Sequence, residues 1–174
     1  MELTEIYSEL LAHVPISTEL SQLAKEKASA AFQFLTQGYQ MQLQDLAKNS
    51  LYSCENAGPV LIKDLALISL CEHHLLPIIG KCHILYLPDQ QVLGLGKFTE
   101  VVTMFSRRLQ LQERLTQEIA EAIQELTKAR GVAVKIEAQH LCLALKGMEK
   151  CAQPVITAQF LGSFAGHGLE LFRD

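Results

Sequence analysis

An α+β fold is predicted by three changes of hydrophobic period along the chain. Spacing is helical up to about Leu46, alternates from about Val60, and turns helical again after Lys97 before a second alternating stretch begins at Val132. In the first region Leu3, Ile6, Tyr7, Leu10 and Leu11 recur at intervals that place them on one helix face. Pro15 interrupts that helix, and Ser17 or Thr18 is placed to cap a second one through Leu23, Ala28, Ala31 and Phe34. Gly38 is expected to end it in the left-handed conformation. Within residues 60–87, two apolar runs predict an antiparallel hairpin joined around residues 77–80, with Cys71 ending the first run. Pro88-Asp89 marks a turn. Leu111, Leu115, Ile119, Ala122, Ile123 and Leu126 then form a helical stripe that Gly131 stops. Residues 132–146 alternate with period two, and residues 154–161 are expected to supply the last strand.

Composition narrows the classes of function. At 174 residues the chain fits one structural domain, long enough to fold without disulfides. A formal net charge of −4 with no basic block argues against nucleic acid as a partner. No apolar run approaches the roughly 20 residues of a spanning helix, so no membrane role is expected. The opening Met1-Glu2-Leu3-Thr4-Glu5 lacks the basic start of an export signal. The cysteines Cys54, Cys71, Cys82, Cys142 and Cys151 form an odd set, which fits a reducing, cytoplasmic setting better than a bridged scaffold.

Cys71-Glu72-His73-His74 is the string most suggestive of chemistry. Cys71 and His74 are spaced so that one turn presents a thiolate and an imidazole to the same ion, while His140 and Cys142 share one face of the predicted strand. Cys71, His74 and Cys142 together offer two sulfurs and a nitrogen, a set that suits zinc and leaves a fourth position open for water. His73 and His140 would remain unligated beside it, suited to proton transfer. The competing reading is core packing, which accounts for each cysteine taken singly. Cys54, Cys82 and Cys151 read as structural, His83 as a strand residue turned to its neighbours, and His13 and His167 as surface residues.

Four blocks then carry a resemblance: Cys71-Glu72-His73-His74; Gly94-Leu95-Gly96-Lys97; the string from Arg107-Arg108 through Gln112-Glu113-Arg114 to Thr116; and Glu137-Ala138-Gln139-His140-Leu141-Cys142. In order and spacing they resemble the GTP cyclohydrolase I family. The resemblance implies a tunnelling fold, a ββααββ unit over about residues 58–165 behind an N-terminal helical segment of residues 1–50. It also implies subunit rings, typically decamers, with active sites between subunits. It further implies hydrolysis of GTP at C8 of its guanine ring, release of formate, and formation of 7,8-dihydroneopterin triphosphate for tetrahydrofolate and biopterin synthesis. By matching position, Cys71, His74 and Cys142 resemble the ligands of one zinc ion per subunit, His140 the principal acid/base group and His73 its support. Glu113 resembles the carboxylate that reads the guanine edge, with Gln112 beside it. Lys97 and Lys146 fall at positions that meet the triphosphate.

The sequence departs from the family at the phosphate end. A serine position is Gly96, an arginine position is Glu100, and a second arginine position is Lys146. A carboxylate facing phosphate is repulsive: like charges about 4 Å apart cost roughly 4 kcal/mol at an effective dielectric of about 20. Lys146 keeps charge but loses the bidentate fork. Arg107 and Arg108 stand either to compensate or to serve subunit packing. Alternatives to GTP hydrolysis are therefore a paralogue acting on a less phosphorylated purine or related heterocycle, and a non-catalytic ring subunit that binds a pterin or regulates a partner.

Overall fold

A computed structural model describes residues 1–55, 58–145 and 153–172. Helices α1 (Leu3–Leu11), α2 (Thr18–Thr36) and α3 (Leu43–Ala47) lead into strands β1 (Leu51–Ser53), β2 (Val60–Cys71), β3 (Pro77–Leu87) and β4 (Gln91–Leu93). Next come α4 (Leu95–Ser106), β5 (Leu109–Gln110), α5 (Gln112–Thr127), β6 (Gly131–His140), the short α6 (Leu141–Ala144) and β7 (Val155–Gly162). The main sheet runs β5-β2-β3-β6-β7, and β2, β3, β6 and β7 are antiparallel neighbours. With α4 and α5 between the two hairpins, this is the ββααββ order of the tunnelling fold.

The two helices cover one face of the sheet. Val132, Val134, Ile136 and Ala138 of β6 and Ile78, Cys82, Ile84 and Tyr86 of β3 share a core with Phe98 and Val101 of α4 and Leu115, Ile119 and Ile123 of α5. Burial pushes the Cys82 thiol far up, in keeping with a purely structural role. The opposite face is mixed, with Lys81, His83, Lys135 and Glu137 among apolar Leu61 and Ile79, beside a bulge at Lys63-Asp64. There Asp64 takes a left-handed conformation and its N–H donates to His83 Nδ1 at 3.3 Å. On this side Phe172 packs with Leu85 and Ala133.

Most element boundaries follow the sequence expectations, and the differences have physical causes. Ser17 caps α2, its Oγ accepting from Leu20 N–H at 3.2 Å. Gly38 does not take the left-handed conformation; it sits in a 3₁₀ turn, where a Cβ would meet Met104 O at 2.1 Å. Its glycine is therefore required by close approach to the end of α4 rather than by its own torsions. The β2–β3 connection lies over residues 72–76, not 77–80, because Pro77 already pairs with Leu70 as the first residue of β3. Gly80 is a strand residue whose Cβ would strike Glu137 O at 2.2 Å. Helix α5 ends at Lys128 in the left-handed conformation, so Gly131 is free to open β6. The second alternating run stops being a strand at His140, and Cys142 lies in the helical turn that follows.

Candidate metal centre and active site

The Cys71-Glu72-His73-His74 string forms the connection between β2 and β3. Cys71 closes it on both sides: its N–H donates to Leu76 O at 2.9 Å, and its carbonyl accepts from Leu75 N–H at 2.8 Å and His74 N–H at 3.3 Å. The turn holds Leu75 at a φ of 54°, an uncommon conformation for leucine, half-exposed beside the candidate ligands. Glu72 anchors the loop to α5 through an ion pair with Arg114, which also donates to Gln110 Oε1 at 3.1 Å. That carboxylate holds the Arg114 guanidinium above its ordinary value. Sequence reasoning gave Arg114 no role; its position in the first turn of the predicted helix, four residues after Gln110, was the available signal.

The loop and the turn after β6 meet. β3 pairs with β2 at Pro77–Leu70 and with β6 at Ile78–His140, so the ends of β2 and β6 flank the start of β3. This brings the sulfurs of Cys71 and Cys142 and a ring nitrogen of His74 within 4.8 Å of one another. Cys71 Sγ lies 3.5 Å from His74 Nδ1. Sulfur and nitrogen bound to one tetrahedral zinc sit about 3.6 Å apart, so this edge already has the spacing the ion needs. Burial, then the neighbouring Cys71 sulfur, pushes the Cys142 thiol up. A thiol that resists ionising unaided becomes a thiolate when a cation shares its charge. The donor set therefore fits zinc.

His140 sits at the end of β6, half-buried, and its Nε2 lies 2.7 Å from Gln112 Oε1. Burial lowers its pKa, against a smaller opposing pull from Glu113, so the neutral ring is favoured at neutral pH. His73 is exposed, its Nε2 3.9 Å from Glu72 Oε1 and its ring 6.1 Å from that of His74. Glu113 is exposed in the first turn of α5, where the helix dipole favours a carboxylate, and it borders a depression shared with Thr157 and Gln159 of β7. Gln112, expected beside Glu113 on the substrate, is only 1% exposed and turns its amide into the chain.

Lys97 is not brought to this cluster. It lies in the first turn of α4, whereas the far end of that helix leads to β5, which pairs with Leu70 and Cys71. About nine residues of helix, roughly 14 Å of rise, separate Lys97 from that end. Its Nζ donates to both carboxylate oxygens of Glu100, at 2.9 and 2.8 Å. Arg107 and Arg108 pack the N-terminal helices onto α4: Arg107 lies over Phe34 at 4.4 Å, and Arg108 lies over Phe105 at 4.8 Å and donates to Gly38 O. Lys146 lies outside the described residues, as does Cys151.

A family model described as GTP cyclohydrolase I matches residues 4–169. A protein of Chromohalobacter salexigens named GTP cyclohydrolase 1 is 52% identical over 139 residues, which is 80% of this chain and 76% of that protein. One of Pseudomonas putida named GTP cyclohydrolase 1 1 is 43% identical over 166 residues, covering 94% of this chain and 87% of its own length. Among solved structures, an archaeosine synthase QueF-Like in the apo form superposes with a TM-score of 0.53 at 17% identity, over 63% of this chain and 98% of that one, a likeness of fold alone.

Proposed function

Because this chain belongs to the GTP cyclohydrolase I family, we propose that it hydrolyses GTP at C8, releasing formate and yielding 7,8-dihydroneopterin triphosphate, with one zinc ion per subunit held by Cys71, His74 and Cys142. The convergence of those three side chains from two distant segments is the observation that carries the reading. Zinc held there supplies Lewis-acid activation of a water nucleophile. Glu113 accepts the N1–H and 2-amino hydrogens of guanine, two donors that match a carboxylate's two oxygens. His140, favoured as the neutral ring, takes a proton from the attacking water and returns one to the departing ring nitrogen, with His73 in the supporting role. Relatives carrying the name GTP cyclohydrolase 1 favour this over a less phosphorylated substrate or a non-catalytic subunit. Purified protein loaded with zinc is expected to release one formate per GTP; protein that binds zinc yet turns over guanosine and not GTP would overturn the choice of substrate.

The phosphate end is attenuated, in this proposal, by Glu100. Its carboxylate neutralises Lys97, so a triphosphate must compete for the ammonium. Glu100→Gln is expected to lower the Michaelis constant for GTP by about tenfold, a shift worth roughly 1.4 kcal/mol, and to leave that for guanosine unchanged. An unchanged constant for GTP would mean that Lys97 faces no phosphate.

The separation of Lys97 from the cluster within one chain supports a site completed by a second copy. Among the described residues the sheet also has two open edges, the outer side of β7 and most of β2, of which only Leu70 and Cys71 are paired by β5. Opposite edges of one sheet fit head-to-tail pairing of copies into a closed ring, and the resemblance points to a decamer. Light scattering is expected to give a multiple of 19.4 kDa, and a lone subunit mass would refute the ring. No described helix is long and apolar enough to cross a membrane. Free thiols at Cys54, Cys71, Cys82 and Cys142 support a reducing, cytoplasmic setting.

A further inference from the structure

The hydrogen bonds around Gln112 decide which nitrogen of His140 carries its proton. Thr116 Oγ1 donates to the backbone carbonyl of Gln112 at 2.7 Å, which uses its only hydrogen. In the 2.6 Å contact between Thr116 and Thr157 the donor is therefore Thr157. Thr157 Oγ1 is left with lone pairs for Gln112 Nε2, 3.2 Å away. The same nitrogen faces Val155 O at 2.9 Å and Ile136 O at 3.3 Å, which only accept. Everything at that end of the amide accepts, so the nitrogen must sit there and the oxygen must face His140 Nε2 at 2.7 Å. An amide oxygen cannot donate, so Nε2 bears the hydrogen and Nδ1 keeps its lone pair.

We propose that Gln112 and Thr157 form a positioning unit that locks His140 as its Nε2-protonated tautomer and leaves Nδ1 as the nitrogen that exchanges a proton with the reacting groups. The catalytic part of this inference rests on the role given to His140 above; the tautomer does not. Gln112 is buried at 1% exposure, so it acts through His140 and not on the substrate. The hydroxyl of Thr157 keeps the amide from flipping, because a flipped amide would set its oxygen against Val155 O and Ile136 O and its NH₂ against the histidine N–H.

The test uses zinc-loaded protein labelled with ¹⁵N-histidine, at a pH where His140 is neutral, with its signals assigned by their absence in His140→Asn. Solid-state ¹⁵N spectra are expected to show a protonated Nε2 and a bare Nδ1 at His140, and a mixture of tautomers in Gln112→Ala. Gln112→Ala is expected to lower kcat by about 10–100-fold with the Michaelis constant and zinc content unchanged. Thr157→Val is expected to lower kcat severalfold, and Thr157→Ser to restore it, because serine keeps the hydroxyl. This pair carries the test if Gln112→Ala does not fold. A wild-type His140 protonated on Nδ1 overturns the inference, as does a Gln112→Ala protein whose Michaelis constant rises at unchanged kcat. A protein that shows the expected tautomer but releases no formate from GTP removes the catalytic reading of the site and leaves the tautomer assignment standing.

Discussion

Cys142→Ala is expected to lose bound zinc and formate release together, with turnover reduced by about 10³-fold or more, while the protein stays folded. Cys142 lies in a four-residue helical turn beyond the sheet, so alanine preserves the local backbone and removes one buried sulfur atom. What disappears is one of three donors within 4.8 Å, and Cys71 with the exposed His74 cannot close a tetrahedron alone. Metal analysis of the purified variant, read against its circular dichroism spectrum, separates ligand loss from unfolding. Full zinc occupancy in the alanine variant would place the third ligand elsewhere.

His140→Asn is expected to behave differently. Zinc content should match the parent protein and the Michaelis constant should change little, while kcat falls by about 10²–10⁴-fold, the usual worth of a positioned acid/base group. Asparagine is polar and no larger than the imidazole, so the variant removes the proton carrier with little disturbance to β6, while leaving Gln112 Oε1 without its donor. Loss of zinc in this variant would make His140 a ligand and leave proton transfer to His73 or to solvent.

The helices and the grouping of Cys71, His74 and Cys142 were the legible parts of the sequence. Apolar stripes such as Leu115, Ile119 and Ile123 name their own face, and Cys71, His74 and Cys142 stand out because such side chains have few uses that close together. What escaped was information carried by contacts between distant segments. Gly38 and Gly80 look like turn residues in one dimension, yet each exists because another backbone passes within reach of a missing Cβ. The alternation through residues 132–146 suits a strand as far as His140; nothing local announces that Leu141 starts a helical turn. Gln112 reads as a polar residue at a helix start, and only the arrival of β7 shows its amide to be spoken for. Glu100 was suspect by its sign alone, and the fold supplies its partner, Lys97.

One consequence concerns β7. This strand is the outer margin of the sheet, with β6 as its only partner among the described strands, and it also supplies Val155 O and Thr157 Oγ1 to Gln112. Marginal strands are where proteins breathe first, by local opening that leaves the interior intact. Each such fluctuation would release the amide and free the imidazole to reorient. A subunit that docks on this margin would suppress the breathing, so association and catalytic readiness would share one free energy. Amide hydrogen exchange along residues 155–162 would then slow with rising protein concentration in step with specific activity.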